Sequence, residues 1–412
     1  MHAVLHLILT VLGVLLAAAT LPLVLELGIV TFASLFLRRG LDSGQVASKG
    51  ERLEGQVAPM LAAPKLIVIV PAHNEELLVG RTVKNLLVSA SGAAQVFLIA
   101  HNCTDATAAR ARETQVNGKR ATVLEFNDPE ARGKGFALRW GFAQALAAGA
   151  GAVMVVDADS IVSSSTIPAV LSAFAAGARA VQCRYEMESA SGRTNTELSA
   201  LAFRGFNVIR PRGRERLGLS CGILGNGFAI AHTVLETIPY DAFSLVEDLE
   251  YHLHLVLAGE RVRYLEEARI SADFPESRAG ESVQRSRWEG GRLMTARRWA
   301  LPILRKMLEG RPRLFEPLCD LTGLPLAFGA FALLIALLLP LGWLRWYAAV
   351  SLLVVLAHVV TAAMAGPDPS RSLLLLARTP WYIARKVWMI PALLRGSSKK
   401  AAWVRTERDN TL

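Results

Sequence analysis

The feature that most constrains this chain is a long apolar run near its N-terminus. Over residues 5–37 the only ionisable side chains are His6 and Glu26, and the basic residue Arg38 ends the run. A helix over these residues would be about 50 Å long, whereas the hydrocarbon core of a bilayer is ~30 Å thick. The run therefore predicts a membrane segment, and Pro22 would allow either one tilted span or two short ones. No basic stretch precedes the run, which argues against a cleaved signal peptide.

A second apolar region covers residues 321–366 and is interrupted by Pro340, Gly342 and Arg345. This pattern predicts a hairpin of two membrane spans joined by a short loop. Basic residues flank both outer ends of the hairpin, whereas its loop contains only Arg345. Because basic residues favour the cytoplasmic side, we expect a multi-pass protein of the inner (plasma) membrane with its central part and C-terminus in the cytoplasm.

Two stretches beside the second apolar region, residues 292–308 and 373–394, mix tryptophan and leucine with arginine and lysine. This mixture is typical of helices that lie in the membrane interface. Amphipathic packing onto a soluble domain would give the same pattern. Their position next to the predicted spans favours the interfacial interpretation.

The composition narrows the class of protein. Hydrophobic residues make up 52% of the chain and the mean hydropathy is +0.34, both high for a soluble protein. The excess of 45 Lys and Arg over 35 Asp and Glu suits an anionic lipid surface, nucleic acid or a phosphate-rich substrate equally well. Because the basic residues cluster beside the apolar runs, we expect membrane lipids and no nucleic acid as partners. The four cysteines lack zinc-ligand or disulfide spacing, which suits a reducing cytosol.

Residues 65–272 have an ordinary globular composition and alternate strand-like with helix-like segments. We predict strands at residues 66–70, 94–100, 121–126 and 152–156, and helices at residues 75–88, 106–114 and 135–148. Such alternation predicts an α/β fold in which helices cover a mostly parallel sheet. Ligands of such sheets bind at the carboxyl ends of the strands, so the residues that follow each strand are the candidate site.

Polar residues follow the first two predicted strands. The first strand leads into Asn74 and Glu75, and the second leads into Thr104 and Asp105. Each segment could equally be an ordinary strand-to-helix turn in which Asn74 or Thr104 caps the helix.

The strand at residues 152–156 leads into two carboxylates. Asp157 and Asp159 follow this apolar run, and the alternation of side chains along a strand directs both to the same side. Carboxylate oxygens are the ligands that Mg²⁺ or Mn²⁺ prefers, and such an ion can bridge diphosphate oxygens. The pair therefore suits the divalent cation of a nucleotide-sugar site, although many Asp-X-Asp sequences are simple turns.

Two further motifs lie downstream. Glu247 and Asp248 begin a helical stretch, where acids are favoured by the helix dipole but could also supply a general base. Gln284, Arg287 and Trp288 bring an amide, a guanidinium and an indole together ahead of the second apolar region. A guanidinium can neutralise a departing diphosphate, and an indole can stack on a sugar ring.

The stretch before residue 220 is rich in arginine, at positions Arg204, Arg210, Arg212, Arg214 and Arg216. Its charge would suit anionic lipid headgroups or the diphosphate of an acceptor. A solvated basic loop explains the same pattern equally well.

The order and spacing of these motifs resemble glycosyltransferase family 2. The motifs are Pro71-Ala72-His73-Asn74-Glu75, Asp157-Ala158-Asp159, Glu247-Asp248 and Gln284-x-x-Arg287-Trp288. They are most similar to the membrane-bound branch that includes cellulose, hyaluronan and poly-N-acetylglucosamine synthases and ceramide glucosyltransferases. The resemblance implies an α/β, GT-A (Rossmann-like) catalytic domain with flanking transmembrane and interfacial helices, and a sugar transfer that inverts the anomeric carbon.

The resemblance also implies roles for individual residues. The donor-binding residues would be Pro71, Ala72, Asn74, Glu75, Asp105, Asp157, Gln284 and Arg287. The metal, Mg²⁺ or Mn²⁺, would be held by Asp159 with Asp157. The catalytic base would be Asp248, with Glu247 beside it. The acceptor would meet Trp288 and the loop Gly225-Asn226-Gly227, whose glycines let a sugar approach the backbone.

The expected domains are an N-terminal membrane segment at 1–40, a linker at 41–64, the GT-A domain at 65–288, interfacial helices at 289–320, the hairpin at 321–366 and a cytoplasmic interfacial, basic tail at 367–412. We expect transfer from a nucleotide-sugar donor, UDP-linked by resemblance, to a lipid-linked or saccharide acceptor in surface-polysaccharide or glycolipid synthesis. Many relatives carry acidic residues where Ala100 and His101 stand, so this chain departs from them where the nucleotide base of the donor would bind. The alternatives are a processive exopolysaccharide synthase, whose relatives use more than the three or four spans expected here, and a catalytically silent membrane scaffold.

Overall fold

The computed structural model describes residues 2–37, 63–188, 194–274 and 278–381, with the backbone alone at residues 194–195 and 278–286. The chain forms two compact units. The sheet unit comprises Arg38–Glu186 and Ser220–Asp273, and the helical unit comprises Met1–Leu37, Met187–Leu219 and Phe274–Leu412. Almost all of the predicted linker 41–64, and the predicted tail beyond residue 381, lie outside the described residues.

Ten strands lie within the described residues: β1 Leu66–Ala72, β2 Ala94–His101, β3 Gln115–Val116, β4 Lys119–Arg120, β5 Thr122–Phe126, β6 Ala152–Val155, β7 Ile161–Val162, β8 Ala180–Glu188, β9 Phe228–Ala231 and β10 Val262–Asp273. Eight of them form one sheet in the order β5-β2-β1-β6-β9-β8-β10-β7, and β3 pairs with β4.

The helices of the described residues are α1 His2–Phe36, α2 Val79–Ala90, α3 Thr107–Glu113, α4 Lys134–Ala147, α5 Thr166–Ala175, α6 Thr194–Arg204, α7 Arg210–Arg216, α8 His232–Thr237, α9 Glu247–Ala258, α10 Arg278–Leu308, α11 Phe315–Thr322, α12 Leu326–Leu338, α13 Gly342–Met364 and α14 Pro369–Leu375. A π-helical turn, Gly205–Ile209, joins α6 to α7, and two short 3-10 turns are Pro312–Leu314 and Leu376–Arg378.

The first half of the sheet is parallel and contains the core of the sheet unit. β1 pairs in parallel with β2 and β6, and β5 extends the sheet beside β2. Leu138 and Phe142 of α4 belong to the same buried cluster as Ile67, Ile69 and Ile99 of the strands. β1 and β6 are apolar along their whole length because both of their faces are buried.

The other half of the sheet is antiparallel. β9 pairs antiparallel with β6 and β8, and β10 pairs antiparallel with β7. The four strands predicted from the sequence are confirmed as β1, β2, β5 and β6. The prediction of a mostly parallel sheet is therefore right for these strands and wrong for the antiparallel half.

The N-terminal apolar run forms one continuous helix, α1, with Pro22 inside it. At 35 residues, or about 52 Å, it is longer than a hydrocarbon core, so the alternative of two short spans divided at Pro22 is wrong. Within the described residues α1 and α13 are each long and apolar enough to cross a membrane. Leu23 and Leu27 of α1 pack with α12 and α13 through Leu333 and Leu344.

The second apolar region contains helices of unequal length, and the units divide the chain at other residues than the expected domains do. The predicted hairpin contains one long helix, α13, and the helix α12, whose 13 residues span only about 20 Å. The segment Pro312–Thr322 precedes α12 at an angle of 83°, as in a broken span or a re-entrant loop. The predicted boundary at residue 288 falls inside the continuous helix α10, and the segment 187–219 of the predicted GT-A domain belongs to the helical unit.

The arginine-rich stretch enters a buried cluster of charges in the helical unit. Arg214 pairs with Glu26 of α1 (2.8 Å), with Glu316 of α11 and with Asp320 (3.2 Å). Arg210 pairs with Glu26 (3.3 Å) and Asp320 (3.0 Å). All five side chains are buried, so both earlier interpretations, a lipid or acceptor contact and a solvated loop, are wrong for Arg210 and Arg214. Buried charges need such partners because solvent cannot stabilise them.

Candidate active site

The predicted metal ligands lie on the turn that follows β6. The strand continues for one residue, since the Val156 N–H donates to the Ile69 carbonyl of β1 (3.1 Å). Asp157 and Asp159 then leave the sheet, and both are half-buried. The Ser160 hydroxyl donates to Asp159 Oδ1 (3.1 Å). Two carboxylates thus stand at the carboxyl end of a central strand, where open α/β sheets bind ligands.

Lys134 connects this turn to the predicted acceptor loop. Its ammonium group donates to the Asp157 carboxylate and to the Gly225 carbonyl (2.7 Å). Burial of Lys134 opposes its charged form, but Asp157, Glu247 and Asp248 together hold its pKa above the ordinary value. The site therefore contains a permanent positive charge between the two groups of acids.

Lys134 was not among the residues singled out from the sequence. The available signal was Gly133-Lys134-Gly135 at the start of α4, after a strand. Helix N-termini preceded by glycine favour anions, because their free N–H groups and the helix dipole both attract negative charge.

The loop Gly225-Asn226-Gly227 is held in position by buried amides. Gln182 of β8 donates to the Asn226 carbonyl (2.7 Å), and its own oxygen accepts from the Leu224 N–H (2.9 Å). The Asn226 side chain, only 1% exposed, accepts from the Asp157 N–H (3.1 Å) and donates to the Ser160 hydroxyl. Asn226 thus links the loop to the turn that carries the acids.

Two features favour glycine at position 225. Its φ of +76° lies in the left-handed region that other residues adopt at a cost. A Cβ at this position would also lie 3.0 Å from Asp248 Oδ2, so the predicted base stands directly against the loop.

Asp248 and Glu247 form the first turn of α9. Asp248 Oδ1 accepts from the Leu249 N–H (2.8 Å). The nearby Glu250 is buried, and its carboxylate accepts from the N–H groups of Phe243 (3.2 Å) and Ser244 (3.1 Å). Glu250 therefore holds the chain before the helix, while Asp248 lies at the glycine loop.

The loops after β1 and β2 join each other. Asn74 Oδ1 accepts from the Thr104 N–H (2.7 Å), and Asn74 Nδ2 donates to the Thr104 hydroxyl (3.2 Å). The helices that follow begin later, at Val79 and Thr107. The alternative that Asn74 or Thr104 caps a helix is therefore wrong, because each pairs with the other loop.

Asp105 also joins these loops. Its carboxylate accepts from the Glu76 N–H (3.2 Å) and from the Thr107 N–H (3.0 Å). The Thr107 hydroxyl in turn accepts from the Glu75 N–H (2.7 Å). Asp105 and Glu75, both predicted to bind the donor, thus lie in one hydrogen-bonded turn.

The ends of β1 and β2 lie beside this turn. Pro71 and Ala72 are opposite Ile99 and Ala100 in the parallel ladder. The next residue of β2, His101, is buried and its ring stacks on Phe126 at 5.0 Å between centroids, and Phe126 stacks on Trp140 at 5.1 Å. Burial lowers the pKa of His101, so its imidazole is neutral at neutral pH.

The remaining predicted site residues belong to α10 of the helical unit. Of Gln284 only the backbone is described. Arg287 is half-buried, and Trp288 is 36% exposed with its ring 6.1 Å from that of Phe203. Their contacts with diphosphate and acceptor stay predictions.

One curated relative is similar to about half of the chain. The probable glycosyltransferase YdaM of Bacillus subtilis (strain 168) is 25% identical over 238 residues, which are 56% of this chain and 56% of that protein. The chain thus spans little more than half of that relative.

Two solved structures are also similar. The mannosyltransferase PcManGT from Pyrobaculum calidifontis, in complex with GDP-Man and Mn²⁺, is 19% identical and has a TM-score of 0.54 over 96% of this chain and 99% of that one. Glucosyl-3-phosphoglycerate synthase from Mycobacterium tuberculosis, with Mn²⁺, UDP and phosphoglyceric acid, is 22% identical over 55% of this chain and 77% of that one, with a TM-score of 0.38.

The similarity to PcManGT shows that the two chains share a fold, which is the GT-A fold. A family model described as glycosyltransferase like family 2 matches residues 64–291, more than half of the chain. The segment contains the turn after β6, the glycine loop and the start of α9. The chain therefore belongs to the glycosyltransferase-like family 2.

Proposed function

We propose that the chain transfers a sugar, with inversion, from a nucleotide-sugar donor to a lipid-linked or membrane-proximal acceptor. The observation that carries this proposal is that Lys134, Asp157 and Asp248 lie close together beside Gly225. Lys134 binds both the Asp157 carboxylate and the Gly225 carbonyl, and Asp248 lies against Gly225. A cation and a separate carboxylate therefore lie at the same glycine.

Asp248 would act as the general base. The acceptor hydroxyl oxygen attacks the anomeric carbon, the bond from that carbon to the diphosphate oxygen breaks, and the hydroxyl proton passes to the Asp248 carboxylate. Attack on the face opposite the leaving group inverts the anomeric centre. Lys134 would stabilise the negative charge that develops on the departing diphosphate. Asp157, together with Glu247 and Asp248, keeps Lys134 charged.

Asp159 and Asp157 would hold Mg²⁺ or Mn²⁺. Both present half-buried carboxylates, the hard oxygen ligands these ions prefer. Within the part of the chain that is described, no third His, Cys, Asp or Glu joins them, which suits an ion shared with the donor's diphosphate. When bound, such an ion supplies charge neutralisation for the leaving group. PcManGT was solved with Mn²⁺, which supports this choice of ion.

The loops after β1 and β2 would bind the nucleoside, through Pro71, Ala72, Asn74, Glu75 and Asp105. A UDP-linked donor is the form implied by the resemblance to the membrane-bound branch of the family. PcManGT was solved with GDP-Man, so a guanosine donor is the natural comparison in the assay. Gln284 and Arg287 would meet the diphosphate, and Trp288 would meet the acceptor.

The acceptor would be presented at the cytoplasmic face of the membrane, in surface-polysaccharide or glycolipid synthesis. The apolar helices α1 and α13, each long enough to cross a bilayer, support this setting. A processive synthase is the second candidate, and product length on a sizing gel separates the two.

The test is transfer by the purified full chain in detergent across a panel of UDP- and GDP-sugars with a membrane-lipid extract as acceptor. We expect one donor to give nucleoside diphosphate and a glycosylated product seen by mass spectrometry. Asp248→Asn should lower transfer by about 10²- to 10⁴-fold but keep nucleotide binding. Asp241→Asn, at an exposed acid in the loop before α9, should change neither. Failure of every donor to bind or react would favour the silent scaffold instead.

A further inference from the structure

A cavity of about 90 Å³ lies within the helical unit, among α6, the π-helical turn, α12, α13 and the turn after α14. That is several times the roughly 10–15 Å³ that one water molecule needs. Its walls are apolar, and small residues from four elements leave the space open: Ala202, Gly205, Ala327, Ala330 and Ala362. The cavity is thus large enough for part of a hydrocarbon chain.

His358 of α13 places a polar atom in this cavity. Its side chain is 2% exposed, and its Nδ1 lies 2.8 Å from the Thr31 hydroxyl of α1. The other nitrogen faces Gly205, because a Cβ at that glycine would lie 3.0 Å from His358 Nε2. Among the residues that the structure describes, Thr31 is the one hydrogen-bond partner of this histidine. Nε2 is therefore a buried polar atom aimed at the space that glycine leaves.

Thr379 supplies a second polar atom at the same cavity. Its hydroxyl oxygen is buried and has no partner within the described ranges. Buried polar groups in proteins are nearly always hydrogen-bonded. Two such atoms in one apolar cavity indicate an occupant that is mostly hydrocarbon but carries an oxygen.

The position of His358 along α13 narrows the class of occupant. It lies six residues before the end of the helix at Met364, or about 9 Å along the axis. The outer faces of α12 and α13 expose large apolar side chains, including Leu338, Leu353 and Leu356. At the end of α13, the Arg204 guanidinium donates to the Ala362 carbonyl (3.5 Å). The cavity therefore lies between leucines that would face acyl chains and a cation that would face a lipid headgroup.

We propose that the cavity binds one membrane glycerolipid, with an acyl chain against the apolar walls and an ester carbonyl oxygen at His358 and Thr379. In the tautomer that this site would use, the ring proton is on Nε2, which donates to the carbonyl oxygen, and Nδ1 accepts from the Thr31 hydroxyl. The Thr379 hydroxyl donates to the same ester. This inference rests on the membrane setting proposed above and not on the transfer reaction.

The test compares an ester lipid with its ether analogue, which lacks the carbonyl oxygen. Delipidated full chain in detergent is titrated with dioleoylphosphatidylglycerol or its dialkyl ether, and bound lipid is counted by native mass spectrometry. We expect one equivalent of the ester lipid, bound about 2- to 10-fold more tightly than the ether, as for one hydrogen bond. His358→Phe should remove this preference.

A second pair of variants keeps the test valid if His358→Phe does not fold. Ala202→Leu fills the cavity from its half-exposed side and should prevent binding of both lipids. Ala357→Leu, at an exposed position beside His358, is the matched control and should bind as the wild type does.

Three outcomes would overturn the proposal: no stoichiometric lipid, equal binding of ester and ether by the wild type, or displacement of the ester lipid by an isoprenyl phosphate. Water joining His358 and Thr379 would explain the first two. The membrane setting is checked separately by washing membranes at alkaline pH. A chain that stays in the membrane yet binds no lipid refutes the lipid site alone.

Discussion

Lys134 allows the sharpest test of the site, because it joins the metal turn to the glycine loop. Lys134→Met keeps an unbranched side chain of similar length but removes the donations to Asp157 and to the Gly225 carbonyl (2.7 Å). Hydrogen bonds of charged groups are each worth about 1.5–3 kcal/mol. If one such interaction with the departing diphosphate is lost in the transition state, kcat/KM should fall about 10- to 150-fold.

The assay is steady-state transfer with the donor identified in the panel, together with calorimetric binding of the nucleoside diphosphate. We expect most of the loss in kcat, because the diphosphate carries more negative charge as the glycosidic bond breaks. Lys84→Met, at an exposed position of α2, is the matched control. A Lys134→Met enzyme whose kcat/KM stays within about twofold of the wild type would refute the role, since even one weak charged hydrogen bond exceeds that difference.

Four further predictions follow from the same structure. Asp248→Asn should lower kcat by about 10²- to 10⁴-fold with donor binding intact, and NMR of the wild-type product should show an inverted anomeric centre; a retained configuration contradicts the role of Asp248. Asp159→Ala, or treatment of the wild type with a chelator, should abolish transfer. If added Mn²⁺ restores transfer by the chelated wild type but not by Asp159→Ala, Asp159 is a ligand of the ion. Arg214→Met removes the arginine partner of the buried Glu316 and leaves Glu26 and Asp320 with Arg210, and it should cost about 3–5 kcal/mol of stability, seen as a lower Tm in detergent. Arg305→Met, at an exposed site of α10, should leave the Tm unchanged. Burial lowers the pKa of His101, so its contribution to stability is fully present above the unfolded-state pKa of about 6.5 and is lost as the pH falls below it. The Tm should therefore drop less between pH 7 and 5 in His101→Gln than in the wild type. An equal drop in Tm in both proteins would refute this.

The parallel half of the sheet could be predicted because its physical signal is local. β1 and β6 are buried on both faces, which requires continuous apolar runs, and polar residues begin where each strand ends. The turn with Asp157 and Asp159 was found for the same reason. Lys134 was missed because a lysine at the start of a helix is common, and only the fold brings it to Asp157 and Gly225.

The antiparallel half and the charge cluster depend on contacts between distant residues. β8 carries Arg184, whose buried guanidinium pairs with Glu186 (2.6 Å) and Glu266 (3.4 Å), so its pattern does not read as an apolar strand. Arg214 is 188 residues from its partner Glu26. No periodicity in the sequence links two such positions. The run of arginines was therefore predicted to be exposed to lipid, acceptor or solvent.

The route of the chain between β8 and β9 has a practical consequence for protein production. These strands are antiparallel neighbours, with Gln182 opposite Phe228. The C-terminal end of β8 and the N-terminal end of β9 therefore lie at the same edge of the sheet. The intervening segment 187–219 belongs to the helical unit. Antiparallel neighbours are commonly joined by short turns. Replacing that segment with a polar turn, and starting at residue 63 and stopping at residue 273, should yield a water-soluble module for crystallisation and inhibitor screening without detergent.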